Sequence, residues 1–201
     1  MGILKKMTYE GEYLFDPRLL NNLEWDSVRG WLNPHITCTE PGESWLLVRP
    51  LQLADYNKGF LEILTQLTAV GNVSYADFER QYRNMHKSGG YYVTVIEDTR
   101  SNKIIGAASL ISEFKFIHGC GLRARLEDVV VNNTYRGKQL GKLIVVTVTL
   151  LARRLGCYKM TLDCKDHLIP FYKAIGYKLE PGNANSMTMR FDETPKIETP
   201  S

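Results

Sequence analysis

The fold turns on RLEDVVVNNTYRGKQLGK, residues 125–142. An apolar run, Val129, Val130 and Val131, stops at two asparagines, and a basic loop with Gly137 and Gly141 leads into an amphipathic pattern. The reading is strand, loop, helix. A helix start carries unpaired backbone N–H groups and the positive end of the helix dipole, so phosphate is its natural guest. The two glycines let an anion approach the backbone, and Arg136, Lys138 and Lys142 add positive charge. The plain alternative is an ordinary connection with a solvated basic face. Two named phosphate loops fail. A Walker A loop needs a wider glycine spacing and a hydroxyl where Leu143 stands, and the dinucleotide fingerprint G-x-G-x-x-G is absent.

Downstream of the loop, Leu140, Ile144, Val148, Leu151 and Leu155 fall on one helical stripe that Gly156 closes. Upstream, YYVTVIED (91–98) and KIIGAASLISEF (103–114) read as strands joined by the polar turn DTRSNK. WLLVRPL (45–51) reads as an earlier strand. LADYNKGFLEILTQL (53–67) has helical spacing, and SYADFERQYRNMHK (74–87) is a second helix with Ser74 as N-cap. CYKMTLD (157–163) is a fifth strand, HLIPFYKAIGYKL (167–179) a short helix, a Gly176 stop and a strand, and SMTMRF (186–191) a last strand. The order β-α-α-β-β-β-α-β-α-β-β mixes hairpins with a parallel crossover, which predicts an α/β sheet of mixed direction.

The chain of 201 residues can bury one good core plus an extension, with residues 1–44 as the extension and 45–201 as the domain. Its net charge of +3, with acids and bases well mixed, gives no argument for nucleic acid. No apolar run reaches transmembrane length, and MGILKKMTYE lacks the apolar region of a secretory signal. Cys38, Cys120, Cys157 and Cys164 form neither a CxxC pair nor a zinc spacing with histidine, which fits free thiols in the cytoplasm and no metal. Peripheral association with internal membranes stays open.

FIHGCG, LEDVVV, RGKQLGK, GCYKMTLDC and PFYKAIGY occur in this order. With the element order, they resemble the glucosamine 6-phosphate N-acetyltransferase family of the GNAT superfamily, over about residues 47–191. The resemblance implies the GNAT acyltransferase fold, a mostly antiparallel mixed sheet flanked by helices. It implies acetyl transfer from acetyl-CoA to the amine of glucosamine 6-phosphate on the route to UDP-N-acetylglucosamine, with no metal and in a homodimer that shares its sites. One departure lies in the loop, where Gln139 stands at the family's middle glycine; another is Leu168, where many superfamily members carry asparagine.

Residue by residue, the resemblance assigns coenzyme A to the Val129, Val130 and Val131 backbone, to Arg136, Gly137, Lys138, Gln139, Leu140, Gly141 and Lys142, and to Tyr172. The Val129 N–H would serve the oxyanion, and the Tyr172 phenol the departing thiolate. Without it, Phe171 and Tyr172 read as a helix packing pair, and the valines as sheet core. Glu127, Asp128 and Asp163 would contact sugar and amine; on a regular strand Glu127 and Asp128 face opposite ways. Thr68, Lys115, Phe116, Ile117, His118, Tyr158, Lys159 and Arg190 would line the sugar site, partly across the dimer. Cys164 reads as a buried, inert thiol, with a mixed disulfide to coenzyme A as the sharper reading. The rivals are acetylation of another amine, a protein N-terminus or lysine, and a non-catalytic acyl-CoA-binding module.

Overall fold

The computed structural model describes residues 12–135, 137–182 and 187–189. Five strands lie in sequence order: β1 (Leu46–Pro50), β2 (Tyr91–Asp98), β3 (Lys103–Phe114), β4 (Leu122–Val131) and β5 (Cys157–Thr161). The first three pairings are antiparallel, and β4 with β5 is parallel. Between β1 and β2 lie α1 (Phe60–Leu64) and α2 (Tyr75–Ser88). Ser74 caps α2 by accepting from the Asp77 N–H, and left-handed Gly89 ends it. The turn α3 (Ile117–Cys120) joins β3 to β4, α4 (Leu140–Arg154) makes the crossover to β5, and α5 (Ile169–Lys173) follows.

The expected helix over 53–67 is two pieces. Gly59 takes φ +80°, ending a 3-10 turn at Leu53–Lys58 before α1 begins. That turn is anchored by Arg49 on β1, whose guanidinium forks onto Asp55 at 2.7 and 2.8 Å and also meets Glu97. The two strands expected after Gly176 are absent from the described residues. Tyr177 to Glu180 and Met187 to Met189 have no regular structure, and Leu179, Met187 and Met189 are exposed. Apolar alternation supplies strand propensity but not the neighbour that a strand must pair with.

The α4 helix is buried on more than its predicted stripe. Leu143, Val145, Val146, Leu150 and Ala152 are buried as well as Leu140, Ile144, Val148 and Leu151, while Leu155 is only partly so. One side of α4 packs on β3, β4 and β5, and Pro17–Leu20 packs on it too. Leu14, Phe15, Leu20, Leu23, Trp25, Val28, Leu32 and Ile36 all join the same core as the sheet. Each such side chain contributes roughly 1.5–3 kcal/mol from burial, before entropy. The N-terminal residues from Leu14 onward thus lie on the domain.

Candidate active site

The site begins where two strands part. β5 pairs with β4 from Leu122 to Arg125, and the register ends at Arg125 against Thr161. Among the described residues, β4 from Leu126 to Val131 pairs only with β3, so its other edge offers them open N–H and C=O groups. An extended, amide-bearing molecule pairs with such an edge as an added strand.

A bulge interrupts β4 at this point. Val130 lies opposite Ala107 and Glu127 opposite Ser109, so β4 holds one residue more than β3 across the gap. Asp128 takes φ +52° there. The regular alternation assumed from sequence therefore fails at these acids: Glu127 and Val129 are half-buried, Asp128 is exposed and Val130 is buried. Protein crowds the Asp128 carboxyl despite its open face. Burial first, and the Glu127 charge second, raise its pKa above the ordinary carboxylate value.

Arg125, which the sequence reading passed over, ties the acids together. Its Nε donates to Glu127, and its Nη2 donates to Asp163 Oδ2 at 2.5 Å. A strand-borne acid and an acid just past the end of β5 thus share one guanidinium. Glu127 above all, then Asp163, raises the Arg125 pKa further. The signal was in RLED, because residues two apart on a strand share a face.

Tyr172 is a buried residue of α5, with Phe171 edge-on at 5.0 Å and Tyr177 at 5.8 Å between ring centroids. The packing pair is real, yet the Tyr172 hydroxyl makes no hydrogen bond among the described residues. Burial first and Cys164 second raise its pKa, so the phenol keeps its proton. Cys164 itself is exposed, which corrects the expectation of a buried thiol. Its pKa is raised by partial burial, then by Asp166 and Asp163, the opposite of an activated nucleophile.

The basic loop ends in an uncapped helix start. No side chain among the described residues caps α4, and its first backbone bond runs from the Leu143 N–H to the Gln139 carbonyl at 2.9 Å. Gly137 takes φ +84° with open space where a Cβ would point, and a Cβ at Gly141 would stand 3.7 Å from the Phe171 ring. These features fit an incoming pyrophosphate. Leu140 is a core residue, so only its backbone can serve an anion. Lys138 pairs with Glu43 at 2.5 Å, and Lys142 Nζ donates to the Trp31 carbonyl at 3.4 Å. Arg136 lies outside the described residues.

The expected sugar-site residues fall into smaller groups. His118 stacks on Tyr158 with centroids 4.2 Å apart. Lys115 pairs with Glu113 at 2.5 Å, Lys159 and Thr68 are exposed, and Phe116 is 97% exposed. Ile117 is exposed as well. No hydrogen bond or ion pair among the described residues links Lys115, His118 or Lys159 to the Arg125 cluster. Arg190 lies outside the described residues.

Residues 57–177 match the acetyltransferase (GNAT) family. A Drosophila melanogaster protein described as a probable glucosamine 6-phosphate N-acetyltransferase is 60% identical over 189 residues, 94% of this chain and 86% of its own. The chain belongs to the glucosamine 6-phosphate N-acetyltransferases of the GNAT family. The Arabidopsis thaliana enzyme of that name is 39% identical over 130 residues, 64% of this chain and 87% of its own. The crystal structure of glucosamine-6-phosphate N-acetyltransferase from Arabidopsis thaliana has the same fold, with a TM-score of 0.70 at 36% identity, covering 73% of this chain and 99% of that one. The parted strands, the bulge and the loop are thus set in a GNAT sheet, as the element order anticipated, although two of the expected strands are missing from the described residues.

Proposed function

We propose that this chain transfers the acetyl group of acetyl-CoA to the amine of D-glucosamine 6-phosphate, giving N-acetyl-D-glucosamine 6-phosphate and CoA for UDP-N-acetylglucosamine synthesis. The observation that carries the reading is the open β4 edge, running from the Arg125 cluster to the uncapped start of α4. Acetyl-CoA supplies the acyl thioester. The loop N–H groups of residues 137–142, with Lys138, Lys142 and Arg136, hold its pyrophosphate, and the backbone of Val129, Val130 and Val131 pairs with its amide arm.

Transfer is direct. The free amine attacks the carbonyl carbon, a C–N bond forms and the C–S bond breaks. The Val129 N–H, at the bulge, donates to the oxygen that gains charge. Tyr172 hands its hydroxyl proton to the departing sulfur, and the proton that the nitrogen sheds as it becomes an amide restores the phenol. The amine arrives as an ammonium and gives up its first proton to water near Glu127 and Asp163, which Arg125 holds together and oriented. Asp128, Thr68 and the His118–Tyr158 stack complete the sugar contacts. Lys115, Lys159 and Arg190 receive the sugar phosphate.

Residues 114–117 place Phe114, Phe116 and Ile117 in water, all strongly exposed. This exposed apolar surface supports the reading of a homodimer with shared sites, in which a second copy of the chain covers it. No helix among the described residues is long and apolar enough to cross a membrane. A cytoplasmic setting accords with four cysteines free of disulfides.

The test is thiol release from acetyl-CoA with glucosamine 6-phosphate and with glucosamine, side by side. Rapid release with the phosphorylated sugar alone is expected. Equal release with both sugars overturns the phosphate site, and release with a peptide amine instead overturns the acceptor.

A further inference from the structure

The segment before β1 reaches both parts of the site assigned to the cofactor. The Gln139 side-chain amide pairs with one backbone unit: its Nε2 donates to the Asn33 carbonyl at 2.7 Å, and its Oε1 accepts from the Asn33 N–H at 3.0 Å. Lys142 reaches the Trp31 carbonyl, and Lys138 reaches Glu43. The Trp31 ring lies over Gly176 so closely that a Cβ there would stand 2.6 Å from it. Gly176 follows α5, which carries Tyr172. The segment precedes residues 57–177, where the family match lies.

Gln139 also carries local strain. It holds φ +55° and ψ +20° at the residue before α4, in the left-handed region that is unfavourable for a non-glycine residue. Such strain persists where the surroundings over-determine the backbone. Here the surroundings are Asn33, gripped from both sides of one amide. The Gln139 carbonyl receives the first hydrogen bond of α4, so fixing its backbone sets the direction of the loop N–H groups around it. Its side chain makes no cap bond to the helix and is engaged by the N-terminal segment instead.

We infer that Gln139 is a positioning residue for the cofactor loop, through which the N-terminal segment, held at Asn33, keeps the N–H groups of residues 137–142 in the arrangement that receives a pyrophosphate. This rests on the cofactor reading above. The competing account is docking alone, in which the amide pair holds the segment down and the loop keeps its shape without it.

The two accounts separate in Gln139→Gly and Gln139→Asn. Glycine accepts the left-handed backbone freely, and asparagine tolerates it while falling one carbon short of Asn33. Docking alone predicts an unchanged KM for acetyl-CoA in both. Positioning predicts that KM for acetyl-CoA rises about fivefold or more in both, while kcat at saturation falls no more than about twofold and KM for glucosamine 6-phosphate stays. Hydrogen exchange of the free enzymes gives a second readout, with the Leu143 amide, which donates to the Gln139 carbonyl, exchanging about tenfold faster in the variants than in wild type. Unchanged KM and exchange, with wild type binding CoA normally in calorimetry, overturns the proposal alone. A wild type that binds no CoA overturns the cofactor reading and this proposal with it.

Discussion

Beyond Val131 the chain is held from several sides. Gln139 grips Asn33, Lys138 meets Glu43, and α4 is buried against both the sheet and Pro17–Leu20. Before Leu122 the opposite holds: the turn from β3 carries Phe114, Phe116 and Ile117 in water, steadied by the Lys115–Glu113 pair and the His118–Tyr158 stack. One end of β4 is finished by the chain itself, and the other is left with apolar surface to cover. The difference teaches a division of labour. The end proposed to take the thioester needs fixed backbone donors, which a single chain can supply. The acceptor end, in the proposed dimer, is completed by a second copy.

The largest expected effect tests the finished end. Tyr172→Phe keeps the ring packing and removes the proposed proton donor, so kcat falls about a hundredfold with KM for acetyl-CoA little changed, read by thiol release. Sedimentation should show its oligomeric state intact; a loss of dimer would blur the division. Phe116→Asp acts at the other end. It weakens dimerisation by about 2 kcal/mol, roughly thirtyfold in the dissociation constant, read by sedimentation. CoA binding by calorimetry should survive in the monomer, and its loss there would break the comparison.

Arg125→Ala sits between the two ends. It leaves Glu127 and Asp163 without their shared partner, and kcat/KM for glucosamine 6-phosphate falls about tenfold, or ~1.4 kcal/mol, while KM for acetyl-CoA stays. The smallest effect is in stability. A carboxyl with a raised native pKa binds its proton more tightly folded than unfolded. The stability this gives is full below the ordinary aspartate range and is lost as pH rises through the native value. Asp128→Asn removes that loss and suits the left-handed backbone, so Tm at pH 7 rises by about 2 °C, with the gain gone near about pH 3.5.

Much of the fold was legible because its signals are local. Strands β2 and β3, the Ser74 cap and the α4 start follow from period, turn residues and caps. The Gly59 break was visible as a glycine but not as a helix end, since its conformation depends on Arg49 reaching Asp55 from another strand. In the candidate site, motifs marked out the loop and Tyr172. The bulge at Asp128 was not, because it depends on how β3 pairs with β4. Arg125 was missed for a different reason: its partner Asp163 is thirty-eight positions away in the sequence, and a lone arginine in a strand reads as surface charge. The Asn33–Gln139 pair spans a longer gap still, and nothing in either stretch announces the other.

The burial of α4 has a practical side. Trimming the chain to the residues that look like the domain would strip away Pro17–Leu20 and strand Arg153 and Arg154, which reach Ser27 and Asn21. The apolar face so uncovered would invite self-association in a protein chemist's tube. The shortest well-behaved version of this enzyme therefore begins before Leu14, well upstream of the first strand.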